Sequence, residues 1–144
     1  MLPHRFPFQF VSLSAESMQR SAADALDAER DRSPEKGRLK VLLSHGTGPL
    51  RGMVHLPSIL GIEIVAQATA ALLSSSSEDR PSEVFLAGAE VQFSDSLGER
   101  PMSAGDELEV QVETRCDFGK LRKVSGRIER EGEVLLEADL MLTV

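Results

Sequence analysis

The C-terminal half of the chain alternates apolar and polar residues with the period of two that is typical of half-buried β-strands. In ELEVQVETR, Leu108, Val110 and Val112 share one face, while glutamates and a glutamine occupy the other. Turns at residues 117–119 and 131–132 separate this segment from strands predicted at 120–130 and 133–144. A further strand is predicted at 83–93, where Gly88 indicates a bulge. Together these segments predict an antiparallel meander.

The N-terminal half predicts a mixture of strand and helix. Strands are predicted at residues 6–13 and 38–44, with a helical insert at about residues 15–36 between them. A long helix at about residues 58–74 is apolar on nearly every side, so other elements have to wrap it. This segregation of helix and antiparallel strands favours an α+β fold, with one curved antiparallel sheet around a single long central helix. At 144 residues the chain is expected to form one domain.

Composition argues against several classes of function. The formal net charge of −7 and the scarcity of aromatic residues disfavour nucleic acid and anionic membranes as partners. The longest apolar run, residues 59–73, is short for a membrane span and contains Glu63. Cys116 is the single cysteine and cannot form an internal disulfide, and no metal or organic cofactor is indicated. No signal peptide is predicted, so we expect the protein in the cytoplasm.

Two polar residues interrupt the apolar helix PSILGIEIVAQATAALL. Glu63 and Gln67 are four residues apart, so they lie on one face, one turn above the other. A carboxylate buried without a partner has a raised pKa, and a glutamate that is partly protonated near neutral pH is a competent general acid. The alternative is a structural role, in which Glu63 reaches the surface or pairs with a cation such as Arg51.

Several short motifs carry a family resemblance. They are LPHRFPF at 2–8, PSILGIEIVAQA at 57–68, FLAG at 85–88, PMSAGDEL at 101–108 and EGEVLLEADLMLTV at the end. In this order they resemble the 3-hydroxyacyl-[acyl-carrier-protein] dehydratases of the hot-dog fold, over nearly the whole chain except the insert. The stretch HGTGPLRGMVHLPSILGIEIVAQA is most similar to the atypical branch of aryl-polyene and related pathways.

The resemblance implies a reaction and a set of residues. A base removes the C2 proton of a 3-hydroxyacyl thioester, an acid protonates the departing hydroxyl, and water leaves. Glu63 would be the acid and Gln67 would hold it or an ordered water. The thioester oxygen would bind backbone N–H groups at the helix start, at Ser58, Ile59 and Leu60. The resemblance also implies a homodimer with the tunnel between subunits, and an acyl carrier protein or coenzyme A thioester as partner.

The chain departs from the family at the catalytic base. Ordinary dehydratases have a histidine fourteen residues before the glutamate, and Pro49 occupies that place here. Two histidines are candidates to replace it. His45 matches the atypical branch, whose histidine lies upstream of Pro-Leu-Arg, and His55 lies beside the expected oxyanion corner. His4, in the LPHR motif, is expected to be a structural hydrogen-bonding residue.

Charge and the missing histidine leave alternatives open. A basic cluster around one turn could bind an acidic carrier protein, or it could simply be a solvated hairpin face. Its members are Arg115, Lys120, Arg122, Lys123 and Arg127, and a second group comprises Arg38, Lys40 and Arg51. Three functions follow: a dehydratase, a thioesterase in which Glu63 activates water, or a non-catalytic acyl-binding or partner subunit, which Pro49 suggests.

Overall fold

A computed structural model describes residues 36–43, 53–76 and 85–143 of the chain, with side chains in 73–76 excepted. The strands and helices are β1 (Lys36–Leu42), α1 (Leu60–Ser76), β2 (Phe85–Phe93), α2 (Ser96–Glu99), β3 (Glu107–Asp117), β4 (Leu121–Arg130) and β5 (Glu133–Thr143). The strand predicted at 6–13 and nearly all of the insert predicted at 15–36 lie outside the described residues. The described helices include none that is both long and apolar enough to cross a membrane.

The five described strands form one antiparallel sheet in the order β1-β3-β4-β5-β2. The predicted meander is confirmed, since β3, β4 and β5 are consecutive neighbours joined by the two predicted turns. Gly119 and Gly132 have φ angles of 76° and 81° in these turns, a backbone region that glycine adopts without steric cost. The bulge predicted in β2 is also present, as a register shift between Leu86 and Gly88.

The core lies between α1 and one face of the sheet. The alternating residues of β3 point into it, and Ile64, Val65 and Ala68 of α1 are completely buried against them. The helix approaches the sheet closely, because a Cβ atom at Gly126 of β4 would overlap Val65 Cγ1. A central helix packed on an antiparallel sheet confirms the predicted α+β arrangement.

Some boundaries differ from the sequence prediction. The long helix begins at Leu60 and ends at Ser76, and the four-residue helix α2 was not predicted. Strand β2 is exposed along nearly its whole length, including Phe85, Leu86 and Phe93. It lies at the edge of the described sheet and pairs only with β5. Of its apolar side chains, Val91 packs against the core, whereas Phe85, Leu86 and Phe93 are largely outside the core of one protomer.

Candidate active site

Glu63 and Gln67 are hydrogen-bonded to each other in the first half of α1. Gln67 Nε2 donates to Glu63 Oε1 at 2.9 Å, as their spacing of one helical turn allows. Gln67 is only 2% exposed, whereas Glu63 is half-buried. The sequence left open whether this carboxylate is buried or reaches the surface. In a single protomer it is partly exposed, on the side of α1 that the sheet does not cover.

The uncovered side of α1 is otherwise apolar. Ile59 just before the helix is 59% exposed, and Ile62, Ala66 and Ala70 are half-buried. These residues follow the i, i+3, i+7, i+11 spacing of one helix face, and Glu63 lies on the same stripe. A carboxylate that is fixed by a buried amide and surrounded by apolar surface is placed to meet an apolar ligand or a second protein chain.

The start of α1 carries the backbone groups that were predicted to bind the thioester oxygen. The Leu60 N–H donates to Pro57 O at 3.0 Å, so this group is already engaged, which corrects its assignment to the oxyanion site. The N–H groups of Ser58 and Ile59 make no hydrogen bond to another described residue. They lie at the N-terminal end of the helix, where the helix dipole favours negative charge. Ser58 and Ile59 remain the candidates.

His55 is the one histidine within the described ranges, since His45 and His4 lie outside them. It forms an isolated antiparallel bridge with Ser103, and its Nδ1 atom lies 2.8 Å from Ser103 Oγ. The side chains of such a directly opposed pair are close together. Two backbone hydrogen bonds flank the pair: Leu56 N–H to Met102 O at 2.7 Å and Ala104 N–H to Val54 O at 3.1 Å.

A buried arginine supports the segment that holds Ser103. Arg130 is 3% exposed, and its guanidinium donates to Asp106 Oδ2 at 2.8 Å, Pro101 O at 3.0 Å and Arg100 O at 2.7 Å. Asp106 Oδ2 also accepts the Ser103 N–H at 2.9 Å. Arg130 therefore holds the segment that carries Ser103 on both sides, through the carbonyls of Arg100 and Pro101 before it and through the 2.8 Å ion pair with Asp106 after it.

Sequence reasoning missed Ser103, Asp106 and Arg130 as candidates for the site. The period of β4 contains a signal for one of them, because its inward-facing positions are Val124, Gly126, Ile128 and Arg130. An arginine at an inward position indicates a buried ion pair, since a charge is rarely buried without a partner.

The predicted basic cluster is largely neutralised by neighbouring acids on the exposed face of the sheet. Arg127, for example, donates to Glu137, and this hydrogen bond raises the pKa of the Arg127 guanidinium above its ordinary value. The other ion pairs include Arg115–Glu113, Arg122–Asp117, Lys123–Asp139, Arg38–Glu109 and Lys40–Glu107. These contacts favour the alternative of a solvated face. An open groove on this face is lined by the same charges and lies across the sheet from α1.

No arrangement suited to a metal ion is seen within residues 36–43, 53–76 and 85–143, where no three His, Cys, Asp or Glu side chains converge. Among the described side chains near the start of α1, Glu63 and His55 can transfer protons, and Gln67 can donate hydrogen bonds.

The antiparallel sheet and its central helix make this a hot-dog-fold protein, as comparison with solved structures shows. Similar folds include the dehydratase heterocomplex ApeI:P from Xenorhabdus doucetiae (TM-score 0.60, 22% identity, 75% of this chain and 74% of that chain). A thioesterase complexed with coenzyme A and Zn from Thermus thermophilus is also similar (TM-score 0.57, 19% identity, 78% and 80%). At these identities the likeness shows the fold alone.

Sequence comparison narrows the class to one family. No protein-family model matches the chain. The 3-hydroxyacyl-[acyl-carrier-protein] dehydratase FabZ of Mannheimia succiniciproducens is 30% identical over 142 residues, covering 98% of this chain and 85% of the relative. The FabZ of Anaeromyxobacter sp. is 30% identical over 146 residues, covering 98% and 83%. The chain belongs to the family of FabZ-type 3-hydroxyacyl-[acyl-carrier-protein] dehydratases.

Proposed function

We propose that the protein dehydrates 3-hydroxyacyl thioesters, carried on acyl carrier protein, to trans-2-enoyl thioesters. The observation that carries this proposal is the Glu63 carboxyl group, held by the buried Gln67 amide on the apolar, uncovered side of α1. In its protonated form Glu63 donates a proton to the departing C3 hydroxyl, while a base takes the C2 proton and a C2–C3 double bond forms. The N–H groups of Ser58 and Ile59, which no other described residue accepts, would stabilise the charge that develops on the thioester oxygen.

The reaction is tested with purified protein and two thioesters, a 3-hydroxyacyl and a trans-2-enoyl form, each on acyl carrier protein and on coenzyme A. Reversible interconversion of the two supports the proposal, and a preference for one carrier identifies the partner. Release of free thiol would instead identify a thioesterase. If neither reaction occurs but acyl thioester binds, the protein is an acyl-binding subunit and the proposal is wrong.

The Glu63→Gln variant tests the acid, because it keeps the size of the side chain and removes the proton donor. We expect kcat to fall about 10²- to 10⁴-fold, the usual contribution of general acid catalysis. Glu137→Gln on the exposed sheet face is the matched control and should leave kcat unchanged. Full activity in Glu63→Gln would remove Glu63 from the mechanism.

We further propose that the protein works as a dimer joined through β2. This edge strand presents exposed apolar residues, including Phe85 at 60% exposure, and unpaired strand edges are ready to pair with another chain. Pairing two such edges would cover them. The double substitution Leu86→Lys and Phe93→Lys should lower the molecular mass measured by analytical ultracentrifugation from that of a dimer to that of a monomer. Phe118→Lys in the β3–β4 turn should leave the mass unchanged. A wild-type monomer at micromolar concentration would contradict this.

The place of Pro49 favours a second candidate function, as the partner subunit of another hot-dog chain. The family histidine is absent from that position, so a histidine on a different chain could supply the base. The similarity of fold to a protein named a dehydratase heterocomplex fits this arrangement. Activity of the purified chain alone would argue against it.

The exposed thiol of Cys116 fits a reducing compartment, and we propose the cytoplasm.

A further inference from the structure

His55 has a hydrogen-bonding environment that distinguishes its two ring nitrogens. The hydroxyl of Ser103 lies 3.0 Å from Pro101 O and 2.8 Å from His55 Nδ1. A carbonyl oxygen only accepts, so the single proton of the Ser103 hydroxyl is used in the bond to Pro101. The same oxygen must then accept from His55, which requires a proton on Nδ1. The neutral ring consequently carries its lone pair on Nε2.

The position of Ser103 is itself fixed from the core. Its N–H donates to Asp106 Oδ2, and the Asp106 N–H returns a hydrogen bond to Ser103 O at 3.0 Å. Gly105 between them has a φ angle of 90°, which the third position of a type II turn requires. The buried Arg130 guanidinium then binds Asp106. A rigid turn anchored by a buried charge pair therefore holds the serine against an exposed histidine.

The surface around His55 is not typical of solvent-facing loops. Met53 and Val54 on one side and Ile59 on the other are exposed apolar residues. Such a surface suits an acyl chain or a second subunit better than water. His55 also lies only eight residues before Glu63 and close in sequence to Ser58 and Ile59, whose N–H groups make no hydrogen bond to another described residue.

We infer that His55 replaces the missing family histidine as the proton-accepting residue, and that Ser103, Asp106 and Arg130 are positioning residues that fix its ring with Nε2 free. This inference rests on the proposed dehydration. Nε2 takes the proton from C2, the electron pair of the C–H bond forms the C2–C3 double bond, and the C3–O bond breaks. Glu63 supplies the proton that makes the leaving hydroxyl into water. The imidazolium later returns its proton to the Glu63 carboxylate through water, so the enzyme is regenerated.

The tautomer is tested by ¹⁵N NMR of histidine-labelled full-length protein at about pH 8.5, well above the ordinary histidine pKa of about 6.5. The His55→Gln variant assigns the signals. We expect His55 to carry its proton on Nδ1, and we expect Ser103→Ala to shift it towards the Nε2–H form that free histidine prefers. A wild-type ring that already has Nε2–H would overturn the inference, whatever the activity of the protein.

The role in catalysis is tested by hydration of a trans-2-enoyl-acyl-carrier-protein. His55→Gln should lower kcat about 10²- to 10⁴-fold, as expected for loss of a general base. Ser103→Ala should lower kcat about tenfold with little change in KM, because it removes one hydrogen bond that orients the base. Ser103→Thr keeps the hydroxyl group and should have a kcat close to that of the wild type. Ser125→Ala, which loses a hydrogen bond to Asp139 on the other sheet face, is the control.

The outcomes separate this inference from the proposed function. An active wild type whose rate is unchanged by His55→Gln would overturn the role of His55 and leave the dehydratase assignment intact. An inactive wild type would overturn both the dehydratase assignment and the catalytic role, while the NMR result would still decide whether Ser103 fixes the ring. Circular dichroism of each variant shows that a lost rate is not a lost fold.

Discussion

The buried arginine of β4 offers the sharpest test of how the candidate site is held. The Arg130→Leu change removes a guanidinium that is 3% exposed and makes hydrogen bonds to one carboxylate and two backbone carbonyls. Removing one partner of a buried ion pair costs about 3–5 kcal/mol. Asp106 keeps the Ser103 N–H and some exposure, 14% of its side chain, which favours the lower end of this range.

We therefore expect Arg130→Leu to lower the free energy of unfolding by about 3 kcal/mol. For a chain of this length, this corresponds to a fall in Tm of about 6–12 °C. Urea unfolding followed by circular dichroism measures the change, with all variants at one protein concentration because dimerisation would add to stability.

The same strand provides the control. Arg127 is three residues away and also binds a carboxylate, Glu137, but its side chain is 46% exposed. Water screens such a pair, so Arg127→Leu should be close to wild type. If the two substitutions destabilise the protein equally, the argument that Arg130 anchors the Ser103 turn from the core is wrong.

Three further predictions concern packing, acid stability and the orientation of Glu63. Gly126→Ala places a methyl group against Val65 and should destabilise the protein by about 1–3 kcal/mol in the same urea assay; no loss would mean that the helix moves away easily. The hydrogen bond from Ser125 lowers the pKa of the Asp139 carboxyl group. Ionised Asp139 therefore contributes to the free energy of unfolding above about pH 4, and this contribution is lost as the pH falls through the lowered pKa. Asp139→Asn should therefore be less stable than wild type at neutral pH and converge with it in acid; a difference independent of pH would contradict this. Gln67→Met should lower kcat about tenfold by removing the donor to the Glu63 carboxyl group, and an unchanged kcat would show that this bond does not orient the acid.

The sheet was largely predictable because short sequence patterns, within single strands and turns, determine most of it. Alternation fixes which face of β3 is buried, and the turns at Gly119 and Gly132 fix the order of strands β3 to β5. The exposure of β2 was not predictable, because an apolar strand at the edge of a sheet has the same sequence pattern as a buried strand. Helix α2 has only four residues, too few for any periodicity.

The candidate site was predictable only in part, for a related reason. The contact between Glu63 and Gln67 follows from a spacing of four on a helix. Which side of α1 stays uncovered does not follow, because the helix is apolar almost all round and the sequence does not state where the sheet ends. The roles of Ser103, Asp106 and Arg130 depend on contacts between segments that are far apart in sequence, which a local pattern does not contain.

These long-range contacts matter because Pro49 occupies the position of the family histidine, so a catalytic base would have to lie elsewhere. A base can be moved to a new place in a fold only if some other element fixes its ring, because an unsupported loop histidine samples many orientations. His55 has such support, from a turn whose own anchor is buried in the core. A chain that had become a purely passive partner subunit would have no need to keep an exposed histidine in one tautomer. The isolated protein therefore separates the two proposed functions. A catalyst has a measurable rate, which Ser103→Ala should lower, whereas a passive subunit has no rate of its own.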